Sequence, residues 1–154
     1  MTINLVLNSD KSLYYNAGLA RFYVNWSQFY EDDPTAQYDV SFSFQSIPDS
    51  SVNDEDLYVV SLDNLGSTMK TITTIGQNGI GSTSSTIIGL VKPERVQNAA
   101  ENKLIANYLD NAPVRIIGRP QENQIEVSFK DLDDVLANKE PHFLMILRFE
   151  KVGV

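Results

Sequence analysis

Apolar and polar residues alternate in strand-length stretches that are spread along nearly the whole chain. The clearest stretch runs from Tyr38 to Gln45, where every second residue beginning with Tyr38 is apolar and each residue between them is polar. A period of two places the apolar side chains on one face and the polar side chains on the other, which is typical of a half-buried antiparallel strand. The pattern therefore predicts an all-β fold.

The same pattern predicts a leading strand and a set of principal strands, separated by turns rich in Pro, Gly, Asn and Asp. The strands cover residues 3–7 for the leading strand and 19–27, 37–47, 57–62, 68–75, 84–92, 114–119, 124–130 and 142–151 for the others. Eight principal strands favour a single jelly-roll β-sandwich of two four-stranded antiparallel sheets over residues 1–154, with residues 1–12 as an N-terminal arm or leading strand. A barrel is the alternative, and an immunoglobulin sandwich is weaker because the chain has no cysteine pair.

Two segments depart from simple alternation. Asn78-Gly79 lies between two β-branched stretches and is typical of the centre of a hairpin turn. In the connection 93–112, Val96, Leu104 and Tyr108 follow helical spacing after Pro93, a residue that often opens a helix. The spacing predicts a short helix inside this connection.

The composition is that of one folded, acidic domain. The chain has 154 residues, of which 42% are hydrophobic and 21% charged, and these are ordinary globular values. Its formal net charge is -8, from 20 acidic and 12 basic residues. Such an excess of negative charge repels phosphate groups, so we expect no direct contact with nucleic acid.

Cysteine usage and the N-terminal segment limit the expected location. The sequence contains no cysteine, which removes disulfides and thiolate sites and suits a reducing compartment. The apolar run Ile3–Leu7 is too short for a signal peptide or a membrane-spanning segment. We therefore expect no membrane insertion and a protein that stays in the cell that makes it.

The sequence offers little for catalysis. His142 is the only histidine, and no nucleophile elbow, phosphate-binding loop or dinucleotide-binding fingerprint is present. Asp39 and Glu126, on the polar faces of two predicted strands, form the one carboxylate pair that a glycoside hydrolase could use. Polar-face residues are more often simply solvated. We predict no catalytic residue, no cofactor and no enzymatic activity.

Acidic residues cluster in three predicted turns, at 31–33, 54–56 and 131–134. Loops rich in carboxylate oxygens can hold calcium, but the spacing of these residues does not match the EF-hand template. Solvated turn residues are the favoured alternative, and no metal ligand is assigned.

Aromatic residues are concentrated between Tyr14 and Tyr30. Alternation points Phe22 and Trp26 inward and leaves other rings for a partner surface or a sugar, with core packing as the alternative. The candidate interface residues in this region are Tyr14, Tyr15, Tyr23, Phe29 and Tyr30.

The last strand breaks the alternation, because Phe143–Leu147 is apolar on both faces. Such a strand is covered on both sides. The core covers one side of the strand. The other side is covered by a loop, an arm or a neighbouring subunit, or, as the alternative, by the 93–112 connection. Leu144 and Ile146 therefore join the candidate partner interface.

The order of the elements along the whole chain is informative. The runs that carry it are Tyr23–Ser27, Tyr38–Phe44, Ile88–Pro93, Ala112–Pro120, Asn123–Asp131 and Phe143–Glu150. In this order they resemble the small single jelly-roll capsid proteins of large icosahedral double-stranded DNA viruses. The resemblance spans most of the chain and rests on strand patterns rather than on invariant chemistry.

The resemblance implies a structural virion protein, either a penton (vertex) protein or a minor capsid protein. The implied partners are other copies of the chain, as in a pentamer, and other capsid proteins. The implied location is the virion capsid, assembled inside the host cell. The alternatives are a carbohydrate-binding or adhesion β-sandwich module, on the aromatic cluster and acidic loops, and less strongly a jelly-roll glycoside hydrolase.

Overall fold

Antiparallel β-strands make up most of the regular structure. The computed structural model describes residues 1–67, 86–97, 100–133 and 135–153. Within these ranges it contains ten strands, one short α-helix and two 3-10 helices. The prediction of an all-β fold is confirmed.

The strands differ widely in length. They are β1 (Thr2–Asn8), β2 (Tyr14–Asn16), β3 (Leu19–Tyr23), β4 (Gln37–Ser46), β5 (Tyr58–Leu62), β6 (Thr86–Arg95), β7 (Asn102–Ala106), β8 (Val114–Ile117), β9 (Gln124–Lys130) and β10 (Phe143–Lys151). The α-helix α1 spans Ser27–Tyr30, and the 3-10 helices span Ser9–Lys11 and Tyr108–Asp110.

All these strands belong to one continuous antiparallel path. The order is β1-β10-β4-β7-β6-β5-β9-β3-β2, and β8 also pairs with β4. The path has two halves joined by β6, whose Lys92–Arg95 segment pairs with β7 while its first part pairs with β5. We call β1, β10, β4, β7 and β8 the β10 half, and β5, β9, β3 and β2 the β9 half.

Strand β4 shows how alternation produces this arrangement. Every second residue from Tyr38 to Ser46 is buried, and the residues between them are half-buried or exposed. β4 pairs with β10 along its whole length, from Phe143 opposite Ser46 to Lys151 opposite Tyr38. The buried faces of the two strands are therefore continuous, as the pleat requires.

The core lies between the two halves. The Phe44 ring of β4 lies 5.4 Å from the Phe129 ring of β9, and the Phe22 ring of β3 lies 6.1 Å from the Phe143 ring of β10. Both pairs are edge-to-face, a favoured aromatic geometry. The buried hydrophobic residues form one cluster. The two halves thus face each other across a shared core, which is consistent with a β-sandwich.

In the 93–112 connection, where a short helix was predicted, β6 continues to Arg95 and β7 spans Asn102–Ala106. Pro93 lies in β6 opposite Leu104 of β7, and the Val96 N–H donates to the Glu101 carbonyl at 3.1 Å, so the two strands form a hairpin. Leu104 and Ala106 are buried, whereas Lys103 and Ile105 are more exposed. The segment therefore follows the period of two of a strand and not the helical period. Among the described residues of this connection, the helical part is the 3-10 turn Tyr108–Asp110.

The strand predicted at 19–27 ends early, at Tyr23. The Asn25 side chain accepts a hydrogen bond from the Ser27 N–H at 3.2 Å, and α1 begins at Ser27. The Trp26 indole donates to the Glu122 carbonyl at 2.9 Å and is fully buried. The inward direction predicted for Phe22 and Trp26 is nevertheless confirmed.

The other predicted strands are found close to their expected positions. The leading strand is β1, and the strands predicted at 37–47, 57–62, 114–119, 124–130 and 142–151 are β4, β5, β8, β9 and β10. The strand predicted at 84–92 corresponds to β6, which continues to Arg95. The strand predicted at 68–75 and the Asn78-Gly79 turn lie outside the described residues.

Candidate partner interface

The outward face of β10 carries the apolar residues that broke the sequence pattern. Phe143, Met145, Leu147 and Phe149 point into the core, so the residues between them point away from it. Leu144 is 44% exposed and Ile146 is half-buried. The part of this face at Leu144 and Ile146 is therefore apolar and at least partly open to solvent.

Strand β1 extends this face. Val6 of β1 lies directly opposite Ile146 and is 55% exposed. Side chains of directly opposed residues on one face are in contact range. We call Val6, Leu144 and Ile146 the β10 patch.

The cross-strand neighbours of the β10 patch are polar but uncharged. Ser43 of β4 lies opposite Ile146, and Asn8 of β1 and Gln45 of β4 flank Leu144. A patch that is apolar at its centre and carries no formal charge at these neighbours resembles the core of a protein–protein contact, which is depleted in charged residues.

The 3-10 helix Tyr108–Asp110 covers one end of this face. The Arg148 guanidinium lies 3.9 Å from the centre of the Tyr108 ring, a cation–π contact. The next residue, Leu109, is 98% exposed. The 93–112 connection therefore contacts Arg148 but leaves Leu144 exposed, so the alternative that this connection buries the second face of β10 does not hold at Leu144.

A shallow groove continues the face at its other end. It is lined by Asn8, Asp10, Gln45, Ser46, Ile47, Pro48, His142, Phe143 and Leu144. His142 Nδ1 lies 2.8 Å from Asp10 Oδ1, so the single histidine is held at the rim by a carboxylate. Ile47 is exposed and adds apolar surface next to Leu144. Asp10 and His142 are the titratable residues in the groove lining, and they are paired with each other. The groove therefore combines this polar pair with the exposed apolar surface of Ile47 and Leu144.

Two of the aromatic candidates are not at the surface. Phe29 and Tyr30 are buried, since α1 turns both rings into the core against Trp26. The Tyr38 hydroxyl donates to the Phe29 carbonyl and fixes this turn to β4. Their assignment to an exposed interface is corrected: they are core residues, because alternation does not continue past Tyr23.

Tyr15 is half-buried in β2. Its hydroxyl donates to the Pro141 carbonyl at 2.7 Å, and its ring lies 5.3 Å from the Phe143 ring. Burial, and then the charge of Glu140, raises the pKa of Tyr15 far above its ordinary value. Tyr15 therefore anchors the 137–141 loop and presents little surface to a partner.

Tyr14 and Tyr23 are exposed, but they lie on the β9 half. The Arg21 guanidinium lies 5.3 Å from the centre of the Tyr14 ring, and Arg21 Nε donates to Glu126 Oε2 at 2.8 Å. This outer face is therefore charged, unlike the β10 patch. The predicted interface residues do not form one surface: Leu144 and Ile146 lie on one half, and Tyr14 and Tyr23 lie on the other.

The carboxylate pair considered for glycoside hydrolysis is not assembled. Asp39 accepts two hydrogen bonds from Arg115, at 2.9 and 3.2 Å, on the outward face of the β10 half. Glu126 is bound to Arg21 on the outward face of the β9 half. The two carboxylates therefore lie in separate halves, each neutralised by its own arginine.

Two of the acidic turns meet at a polar pocket next to Lys139. Asp56 and Asp131 line it, and Asp56 forms an ion pair with Lys139. Within the described ranges, no group of three His, Cys, Asp or Glu side chains is placed to hold a metal ion. The positive charge of Lys139 balances the negative charge of Asp56.

Val6 and Leu109 were missed from the sequence. Val6 interrupts an otherwise polar outward face of Thr2, Asn4 and Asn8, which is a visible signal, but the sequence does not show that β1 pairs with β10. Leu109 lies in the 93–112 connection, where the sequence predicts a short helix and gives no signal that this side chain is fully exposed.

Comparison with known proteins adds no relative. No protein-family model matches the sequence, and a search of curated proteins finds no significant match. Among the described residues, no helix has the length and apolar character needed to cross a bilayer.

Proposed function

We propose that the chain is a structural capsid protein of a large icosahedral double-stranded DNA virus, either a penton protein or a minor capsid protein. The observation that carries the proposal is the β10 patch, an exposed apolar surface whose cross-strand neighbours are uncharged, on a protein of net charge -8. Exposed apolar surface of this kind is typical of protein–protein contacts.

The strand pairing supports a jelly roll as the finer description of the fold. Pairing is nested: β1 pairs with β10, β3 with β9, β4 with β7 and β8, and β5 with β6. In a jelly roll the chain behaves as one long hairpin that is rolled up, so the first strand pairs with the last, the second with the second-last, and so on inward. In this description β2 is an extension of β3, with which it pairs. β7 and β8 both pair with β4 and together take the place of one jelly-roll strand.

The charge distribution supports contact with protein rather than with nucleic acid. Three arginines on the outer faces are already engaged: Arg115 with Asp39, Arg21 with Glu126, and Arg148 with Tyr108. A phosphate backbone needs accessible cations. We therefore place the partner surface against other capsid proteins.

The oligomeric mass of the purified chain, alone and coexpressed with the other shell proteins of the same genome, tests this proposal. Sedimentation velocity is expected to show assemblies that are multiples of the 17.2 kDa chain, or a complex with a shell protein. A pentamer would support the penton assignment. A strict monomer that binds none of the shell proteins would contradict the capsid role.

A carbohydrate-binding module is the second candidate, favoured by Tyr23. This ring is 63% exposed, and Tyr23 pairs with Gln124, which lines a polar groove together with Asn64, Gln121, Glu122 and Glu126. An exposed ring beside amide and carboxylate groups suits a sugar. Binding on a glycan array that is lost in Tyr23→Ala would support this role, and silence across a broad array would remove it.

A further inference from the structure

Strand β1 lies at one end of the strand path, and one of its two edges has no partner strand within the described residues. Its other edge pairs with β10 over the whole of Thr2–Asn8. The opposite end of the path is β2, which has only three residues, Tyr14–Asn16. Short edge strands limit unwanted pairing. β1 is therefore the end strand with room for another strand.

The ladder between β1 and β10 shows which backbone groups of β1 face outward. The Lys151 N–H donates to the Met1 carbonyl at 3.0 Å, so Met1 and the alternate residues after it bond to β10. In an antiparallel ladder the residues between them direct their N–H and C=O groups to the other side. These residues are Thr2, Asn4, Val6 and Asn8.

The sequence of β1 lacks the usual protection of an edge strand. Edges are commonly blocked by charged side chains, proline or a bulge. The strand reads Thr-Ile-Asn-Leu-Val-Leu-Asn, with no charged residue and no proline, and its register with β10 is unbroken. In a chain of net charge -8, this is a surface where two copies can approach without like-charge repulsion.

The apolar face of β1 is also incompletely covered. Ile3 and Leu5 pack against the core but remain partly exposed, whereas Leu7 is buried. A strand added at the edge would place further side chains beside Ile3 and Leu5 on that face.

We propose that two copies of the chain pair through β1, antiparallel and related by a two-fold axis at Leu5. In this register Thr2 of one copy faces Asn8 of the other, Asn4 faces Val6, and Leu5 faces its own counterpart. The outward backbone groups of both strands then pair with each other, and Ile3 meets Leu7 on the apolar face. A two-fold contact requires such self-complementarity. This dimer does not depend on the capsid role.

Removing one outward N–H tests the pairing. Asn4→Pro deletes an N–H that faces away from β10, so the monomer keeps its ladder, while Asn4→Ala at the same site keeps the N–H. By sedimentation velocity, wild type and Asn4→Ala are expected to dimerise, and Asn4→Pro to weaken the dimer at least about tenfold. Circular dichroism and thermal unfolding check that both variants are folded.

A charge pair tests the register independently. In Thr2→Asp with Asn8→Asp, two acidic residues face each other twice across the axis, and the dimer is expected to weaken at least about tenfold. In Thr2→Lys with Asn8→Asp, each lysine faces an aspartate, and dimerisation is expected to return. Aspartate at position 8 can still accept the Asp10 N–H that Asn8 caps at 2.9 Å.

The results separate this inference from the proposed function. A wild-type monomer at all concentrations up to about 200 μM, well above typical specific affinities, overturns the β1 dimer. The β1 dimer is also overturned if Asn4→Pro self-associates as strongly as wild type and if the Asp and Lys variants at position 2 self-associate equally. An assembly that resists these variants but is disrupted at the β10 patch would remove the β1 dimer and leave the capsid role standing.

Discussion

The Tyr38 hydroxyl connects the longest core strand to the turn that follows β3. It donates to the Phe29 carbonyl, and the Tyr38 ring packs edge-to-face on Phe29 and Phe149. A buried carbonyl that loses its donor costs about 1–3 kcal/mol. One hydroxyl therefore determines how firmly α1 is held against β4.

Replacing Tyr38 with phenylalanine tests this bond. The ring and its packing stay, and the Phe29 carbonyl loses its donor, so we expect the free energy of unfolding to fall by about 1–3 kcal/mol in urea denaturation. Tyr23→Phe is the matched control, because Tyr23 is exposed and should change stability little. Equal stability of the two variants would show that the Tyr38 bond contributes nothing.

At the scale of elements, the pairing of β5 with β6 contains one irregularity. The register shifts between Val60 and Ser61, opposite Gly89, whose φ is +149°. The Asn111 side chain fills the space at Gly89 and accepts the Leu90 N–H at 3.1 Å. A bulge, a glycine and an asparagine thus form one structural unit.

Gly89→Ala tests this unit. A Cβ at position 89 would lie 2.3 Å from the Asn111 side chain, and the φ disfavours any L side chain, so we expect a loss of more than about 1 kcal/mol. Gly66→Ala is the control, because its Cβ would meet Ile117 at an ordinary 3.4 Å. Thermal unfolding of both variants gives the comparison; a Gly89→Ala midpoint no lower than that of Gly66→Ala would contradict this account.

Strand alternation was predictable where one face is buried and the other is wet. β4, from Gln37 to Ser46, was found almost to the residue for that reason. β7 was not, because Val96 and Leu104 match a helical period and Pro93 resembles a helix start, although proline is tolerated in a strand where its missing N–H breaks no ladder bond. Short segments with few apolar residues fit both periods, and tertiary pairing decides between them.

The candidate interface could be predicted only in part. The doubly apolar run in β10 identified Leu144 and Ile146 from composition alone, and the structure shows their outward faces exposed or half-buried. Phe29 and Tyr30 were assigned to the surface because a strand was extended through Trp26, where the chain turns into α1 instead. Val6 joins Ile146 only through the β1–β10 register, which is long-range information that one sequence does not carry.

At the scale of the whole molecule, several buried groups respond to alkaline pH in the same direction. Burial, and then the charge of Tyr38, raises the pKa of Tyr30 from 10.0 to about 12. Burial also raises the pKa of Tyr15, Tyr38 and Tyr58. For Lys139, burial lowers the pKa, but hydrogen bonds and charge from Asp56 and Tyr58 outweigh it and raise the pKa.

These shifts predict a loss of stability above about pH 10, the ordinary pKa of tyrosine. Each raised pKa means that the folded state holds a proton that the unfolded state has released, so the unfolding free energy falls as pH rises. Urea denaturation at a series of pH values from 8 to about 12 should show this decline, with a smaller slope in Tyr30→Phe. Stability that stays constant or rises across this interval would contradict the burial of these hydroxyls.

We propose that the β10 patch is the surface through which the chain binds other capsid proteins. Leu144→Lys and Leu90→Lys change the same residue type at 44% and 43% exposure, and only Leu144 belongs to the patch. The measurement is cosedimentation of each variant with the coexpressed shell proteins, after thermal unfolding has shown that both variants are folded. We expect Leu144→Lys to lose cosedimentation with the shell proteins and Leu90→Lys to keep it. Equal cosedimentation of the two variants, or none of the wild type, would contradict the proposal.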